Sequence, residues 1–261
     1  MRKLLLSFST LCFIACENKM TEPRFVFSAP EPPPLRRVEI TEKESWPYFL
    51  QHLPEKEGAV VDYKGQAVAD QEKMFSLINY DVGKRDLQQC ADALMRLRAE
   101  YLFARQRYNE IRFHFTNGTL YTFKAYVSGQ RPVASGSRVR FITTQPASYT
   151  YAHLRSYLEL VYAYAGTISL ASELKSVDAF TIGTVILTPG SPGHCMIITD
   201  MATTATGDTL YKLVEGYTPA QSIYVLRNTH DPDLGYWHRL GKGVVQTASY
   251  TFRSYQLKAF E

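Results

Sequence analysis

The chain has 261 residues, of which 45% are apolar and 13% aromatic, as expected of a globular protein with a sizeable core. Its formal net charge is +4, and two of the positive charges, Arg2 and Lys3, lie in a segment that we expect to be removed. The remaining charge of about +2 is too small to indicate nucleic acid or an anionic membrane surface as a partner.

The N-terminal segment has the pattern of a secretory signal peptide. A basic MRK precedes the apolar run LLLSFSTLCFIA, which is too short to span a bilayer as a helix. The run ends at Ala15-Cys16, which resembles a lipobox, in which the cysteine receives lipid and becomes the mature N-terminus. A plain secreted protein is the alternative. We therefore expect a lipoprotein signal peptide over 1–15, lipidation of Cys16, and a protein anchored to the bacterial cell envelope, at the periplasmic face or the cell surface.

The segment that follows the signal peptide separates the expected anchor from the folded part. Residues 16–37 include APEPPPLRR and show no periodic pattern, which predicts a semi-rigid tether. Residues 38–261 contain no internal repeat and are predicted to form a single domain.

The clearest helix is predicted over KRDLQQCADALMRLRAEYLFARQRYNE, where apolar residues recur at spacings of three and four. The pattern puts Asp86 at or near its N-terminus and Cys90 about one turn inside it. Four arginines lie off the apolar stripe and predict a solvated face: Arg96, Arg98, Arg105 and Arg107.

The rest of the chain reads as short strands with one more helical region. IRFHFTNGTLYTFKAYV has two alternating runs around Asn117-Gly118, which predicts a hairpin, and SRVRFI predicts another strand. TYAHLRSYLELVYAYAGTISLASELKS predicts a helix that is broken near Gly166. Four more strands are predicted at GTVILTPG, HCMIITDMA, TLYKLVEGY and QSIYVLR. This order is typical of the α+β class and not of alternating βα units.

Three residues have the chemistry and the placement of a thiol hydrolase. Such an enzyme needs a thiolate, a neighbouring imidazole and a group that orients the imidazole. Cys90 lies near the start of a helix, where the helix dipole lowers a thiol pKa. His194 opens one strand and Glu215 ends the next. If these two strands pair around the TATGDT turn, Glu215 can reach the His194 ring and fix its tautomer.

This order of cysteine, histidine and acid resembles the NlpC-type branch of the papain-like hydrolases, which cleave peptide or amide bonds in bacterial cell walls. The resemblance covers Cys90 and roughly residues 183–226. It implies a papain-like α+β fold with a central helix packed on an antiparallel β-sheet. The chain departs from that branch around the cysteine, where Gln89 replaces the usual Asp and Ala91-Asp92 replace Ser-Gly.

A closer resemblance is to a bacterial family of exported lipoproteins whose domain has no assigned function. The matching stretches are DLQQCADALMRLRAEYL, FTNG, PGHCMIITDMA and GYTPAQSIYVL, and they cover about residues 60–250. This resemblance implies no activity, so the chemistry rests on the residues themselves.

The first hypothesis is a cysteine hydrolase that cleaves an amide bond, with peptidoglycan as the suggested substrate. Cys90 would be the nucleophile, His194 the base and Glu215 the orienting group. Each residue also has a plain structural explanation. A free cysteine on an apolar stripe behaves as a small hydrophobe, a histidine at a strand end can bond a backbone carbonyl, and an acid such as Glu215 is often at the surface.

The second hypothesis is a non-catalytic envelope lipoprotein that binds a glycan or peptide. Tyr217 and Trp237 lie in segments that we expect to be exposed loops, and such side chains suit sugar faces. Gln221 would cap a turn or donate to an oxyanion. A third alternative is a structural disulfide between Cys90 and Cys195, which export permits. No metal site and no cofactor are expected, because histidines and cysteines at ligand-like spacings are lacking.

Overall fold

A computed structural model describes residues 34–261 of the chain. The predicted signal peptide, Cys16 and most of the predicted tether lie outside the described residues. Within the part that is described, no helix is long and apolar enough to cross a membrane. The tether was expected to extend to residue 37, but Arg36–Arg37 already forms a strand of the domain, because its backbone pairs with residues 202–203.

Residues 34–261 contain five α-helices and sixteen strands. The helices are α1 (Trp46–Gln51), α2 (Cys90–Ala104), α3 (Phe123–Val127), α4 (Tyr151–Tyr162) and α5 (Thr167–Glu173). The strands are β1 (Arg36–Arg37), β2 (Glu55–Lys56), β3 (Met74–Ile78), β4 (Arg112–His114), β5 (Leu120–Thr122), β6 (Gln130–Ser135), β7 (Arg138–Thr143), β8 (Lys175–Ser176), β9 (Thr184–Thr188), β10 (His194–Thr203), β11 (Thr209–Glu215), β12 (Tyr224–Leu226), β13 (Trp237–His238), β14 (Val245–Gln246), β15 (Thr251–Phe252) and β16 (Gln256–Ala259).

A large antiparallel sheet organises the fold. Its strands follow the order β2-β3-β12-β11-β10-β9-β16-β8, while β1 pairs with β10 and β13 pairs with β11. The long strand β10 pairs with β11, with Ile197 opposite Val214, so the pairing expected around the TATGDT turn is confirmed. The α+β class with a helix on an antiparallel sheet is therefore confirmed.

The two faces of the sheet have separate cores, because side chains alternate along β10. Cys195 and Ile197 pack in the core that contains helix α2. Met196 and Ile198 pack in the core on the other face, together with Phe252 of β15. Helix α2 thus lies against the sheet with its first residue near the start of β10.

Helix α2 begins later than the apolar pattern predicts, at Cys90 itself. Gln89 is extended and caps the helix, and its N–H donates to Asp92 Oδ2 at 3.1 Å. Asp86, expected at the helix N-terminus, instead accepts a hydrogen bond from the Ala220 N–H at 2.7 Å and holds a loop. Because α2 begins at Cys90, the thiol lies in the first turn, where free backbone amides are available.

The solvated arginine face predicted for α2 is wrong for the two central arginines. Arg96 is fully buried, donating to Glu100 at 2.5 Å and to the Tyr151 hydroxyl at 2.9 Å. Arg98 is also buried and lies over the ring of Trp46. Other elements pack around the helix, so these two arginines are buried. Arg96 finds hydrogen-bond partners both within the helix and at Tyr151, which is distant in sequence.

Two other local predictions have mixed outcomes. The hairpin at Asn117-Gly118 is confirmed by the pairing of β4 with β5, and Gly118 has the positive φ of 84° that such a turn needs. The break near Gly166 is confirmed by the separation of α4 from α5. The residues after β5 form helix α3 instead of a longer strand, because the Thr122 side chain caps it by accepting from the Ala125 N–H at 3.0 Å.

Candidate active site

A cleft with a volume of about 520 Å³ lies where the N-terminus of α2 meets the start of β10. Cys90 and His194 face each other in it, and Tyr217, Tyr250 and the loop 190–193 form other parts of its lining. The structure therefore brings together two of the residues predicted to carry the chemistry, in a cavity of the size that takes a short peptide.

Cys90 is the first residue of α2, and 9% of its surface is exposed. Its sulfur lies beside the Cys195 thiol, His194 and the Ala91 backbone N–H. The favourable interaction of the thiolate with these groups, Cys195 first, outweighs the effect of burial and lowers the pKa of Cys90 to about 5. Cys90 is therefore a thiolate at neutral pH.

His194 bridges the thiol and a carboxylate. Its Nε2 lies 2.7 Å from Glu215 Oε2, which leaves Nδ1 free of the carboxylate, and Cys90 lines the same cleft. Burial lowers the pKa of His194, but the hydrogen bonds to Cys90 and Glu215 and their negative charges outweigh it and raise that pKa to about 9. The rings of Tyr217 and Tyr250 pack on the imidazole at centroid distances of 5.2 and 4.9 Å.

Glu215 is buried and has a partner on each carboxylate oxygen. Oε2 accepts from His194, and Oε1 accepts from the hydroxyl of Tyr224, which lies opposite Glu215 in the β11–β12 pairing. Gln221 hydrogen-bonds Tyr224 in turn. Imidazole, carboxylate and phenol thus form one continuous hydrogen-bonded chain, with the Cys90 thiol beside the imidazole, and this chain fixes the orientation of the ring.

Two residues predicted to bind ligand are not in the cleft. Gln221 is buried behind Tyr224, so the expected oxyanion contact is replaced by one to the phenol. Trp237 is only 2% exposed and packs against Leu210 and Leu234, because β13 pairs with β11 and turns the indole into a core. The exposed position expected for Trp237 is therefore wrong, whereas Tyr217 does line the cleft.

The two cysteines of the domain are free thiols and not a disulfide. Cys195 is fully buried on the α2 side of the sheet, whereas His194, its neighbour in the chain, contacts Phe252 on the other face. Burial, and then the hydrogen bond to Cys90, raise the pKa of Cys195 well above its usual value. Cys195 therefore stays protonated beside the Cys90 sulfur.

Asp92 is a second residue whose role the sequence does not reveal. It lies in the first turn of α2 and lines the cleft, and its Oδ1 has no hydrogen-bond partner among the described residues. Burial raises its pKa well above the usual value for a carboxyl group. This shift reduces the negative charge that Asp92 places beside Cys90.

The described residues contain no group of three or more histidine, cysteine or acidic side chains that could hold a metal ion. The chemistry that the site can perform with its own side chains is nucleophilic. A thiolate faces an imidazolium, and a buried carboxylate holds the imidazolium in place.

Comparison with known proteins gives a family without an assigned activity. No curated protein and no solved structure matches the chain. A family model described as "Domain of unknown function (4846)" matches residues 28–259, which is most of the chain. The protein therefore belongs to this family of domains of unknown function.

Proposed function

We propose that the protein is a cysteine hydrolase that cleaves an amide bond by a papain-like mechanism. The observation that supports this proposal most strongly is the chain of contacts from Cys90 through His194 to Glu215 at the wall of a cleft. A cysteine that only fills a core needs neither an imidazole partner nor access to a cleft.

Acylation begins from the charged pair. Between about pH 5 and about pH 9 the resting site holds a Cys90 thiolate and a His194 imidazolium. The thiolate attacks the carbonyl carbon of the amide, and a thioester forms as the C–N bond breaks. His194 gives its proton to the leaving amine.

Deacylation uses the same groups in reverse. A water molecule attacks the thioester carbonyl, His194 accepts its proton, and the acid product leaves as the thiolate is restored. Glu215 stabilises the imidazolium whenever it forms. The first backbone amides of α2 have no acceptor within the helix, so they supply hydrogen bonds to the oxyanion beside Cys90.

Peptide stems of peptidoglycan are the substrate class that we propose. The support comes from the lipobox pattern at Cys16, which favours anchoring in the cell envelope, and from the NlpC-type order of the site residues. The size of the cleft suits a short peptide, and tyrosine rings at its wall offer apolar contact with a polar edge.

The test compares the protein with its Cys90→Ala variant on soluble peptidoglycan fragments, with release of new amino groups as the readout. We expect the variant to lose activity by at least about 10³-fold, as for removal of a nucleophile. Thr206→Ala, on the exposed turn between β10 and β11, is the matched control. Unchanged hydrolysis by the Cys90→Ala variant would show that the assignment is wrong.

A binding module for a peptide or glycan is the second candidate, and the tyrosine-lined cleft favours it. In that case the wild-type protein would bind the same fragments and release no amine. Calorimetric titration of the wild-type protein and a Tyr250→Ala variant with these fragments distinguishes this outcome. Loss of the ring would weaken binding, and neither protein would release amine.

A further inference from the structure

We propose that Cys90 and Cys195 form a redox-sensitive pair, in which a peroxide closes a disulfide that masks the cleft thiolate. The two free thiols are neighbours in the same buried core, one at the start of α2 and the other on the facing strand β10. This modification site requires a reactive Cys90 and does not require that the protein be a hydrolase.

The contact follows from the alternation of side chains at the start of β10. His194 and Cys195 are neighbours in the chain and point to opposite faces of the sheet. Cys195 packs in the core beneath α2, while His194, at the first position of β10, lines the cleft together with Cys90. Cys90 is thus held between an imidazole and a thiol.

The two thiols differ in their access to solvent. Cys90 lines the cleft, whereas Cys195 is fully buried. A small oxidant therefore reaches Cys90 first, and the thiolate form present there is the form that peroxides attack. Cys195 is not exposed to the oxidant and serves as the resolving thiol.

The reaction balances with hydrogen peroxide as the oxidant. The Cys90 thiolate attacks one peroxide oxygen, the O–O bond breaks, and a sulfenic acid and hydroxide result. The sulfur of Cys195 then attacks the sulfur of Cys90, the S–O bond breaks, and the departing hydroxide takes the Cys195 proton as water. The pair has given two electrons to the peroxide, and a dithiol reductant reverses the change.

The test treats the protein with about tenfold excess hydrogen peroxide at pH 7 and maps its peptides by mass spectrometry without reduction. We expect a cross-linked peptide pair that contains Cys90 and Cys195 and that disappears on reduction with dithiothreitol. In the Cys195→Ala variant we expect Cys90 to accumulate as a dimedone-trapped sulfenic acid and then gain about 32 Da as a sulfinic acid. In Cys90→Ala, we expect Cys195 to stay reduced.

The result that would overturn the proposal is oxidation of wild-type Cys90 to sulfinic acid without a cross-linked peptide. The wild-type map decides this even if the Cys195→Ala variant does not fold. Because the readout uses no substrate, a protein that forms the disulfide yet releases no amine would contradict only the proposed function.

Discussion

Two buried histidines at different places in the same sheet behave in opposite ways. His194 starts β10 and His238 lies in β13, and both side chains are almost inaccessible, with 3% and 4% of their surfaces exposed. The pKa of His194 is raised to about 9 by its contacts with Cys90 and Glu215. Burial lowers the pKa of His238 to about 4, because its hydrogen-bond partner is only the backbone carbonyl of Leu226, at 3.3 Å.

The difference shows that burial does not identify a site of proton transfer. Taken out of water, an imidazole favours its neutral form, as His238 does. Only a charged partner reverses that preference, and His194 lies beside two, Cys90 and Glu215. His238 holds two backbone segments together, whereas His194 is placed to carry a proton.

The largest effect is expected when His194 is exchanged for glutamine, and the same exchange at His238 is the matched comparison. His194→Gln should lower amide hydrolysis by at least about 10³-fold, because the base and the imidazolium both disappear. His238→Gln should leave hydrolysis within about twofold of the wild type, since the hydrogen bond of His238 goes to the Leu226 carbonyl and not to Cys90, His194 or Glu215. Initial rates on peptidoglycan fragments measure both effects. The rate at which iodoacetamide alkylates Cys90 at pH 6 is a second measurement for both variants. Equal losses in the two variants would remove the distinction between them.

The carboxylate beside His194 is the next feature to test. Glu215→Gln keeps a hydrogen-bonding group but removes its charge, and we expect a loss of about 10- to 100-fold in kcat/KM. Wild-type activity should rise through about pH 5 and fall through about pH 9. In the variant, the alkaline limb should move to lower pH because the pKa of His194 falls. Glu55→Gln, which removes an ion pair with Lys212, is the control. An alkaline limb that stays in place would contradict the role of the Glu215 charge.

The two histidines should also give opposite dependences of stability on pH. The pKa of His238 is about 4 when folded and about 6.5 when unfolded, so the unfolded state binds more protons between these values. Stability should therefore fall by roughly 3 kcal/mol as the pH drops from 7 to 4. The raised pKa of His194 acts at the other end, where stability is lost as the pH rises through about 9. Urea unfolding of the His238→Gln variant across this range should show a shallower acid slope than the wild type. An unchanged slope would mean that His238 is not the group responsible.

The smallest effect is expected at Tyr224, which donates to the far oxygen of Glu215. Tyr224→Phe removes one hydrogen bond, worth about 1 kcal/mol, and should lower kcat/KM about three- to tenfold. Tyr211→Phe, on the neighbouring strand β11, is the matched control. A loss as large as that of Glu215→Gln would show that the phenol does more than support the carboxylate.

The features predicted correctly from the sequence are those set by local patterns. Two short strand-like runs on either side of the TATGDT turn predict the β10–β11 pairing, and that pairing is enough to bring His194 near Glu215. Asn117-Gly118 predicts its hairpin for the same reason, because a short turn with glycine at a positive φ reverses the chain between the two strands.

The features missed from the sequence depend on partners that are distant along the chain. The start of α2 is set partly by a hydrogen bond from Ala220 to Asp86, and the burial of Arg96 depends on Tyr151. The roles of Cys195 and Tyr224 require knowledge of which residues face each other across the sheet and the helix. The apolar stripe on α2 carries none of that information.

Strand β1 fixes the point at which the N-terminal segment joins the sheet, relative to the cleft. Arg36 pairs with Thr203 at the end of β10, and His194 begins the same strand. At about 3.3 Å per residue, the two points lie roughly 30 Å apart. Under the proposed anchoring, the lipid-bearing segment would join the domain at the end of β10 that is remote from Cys90 and His194.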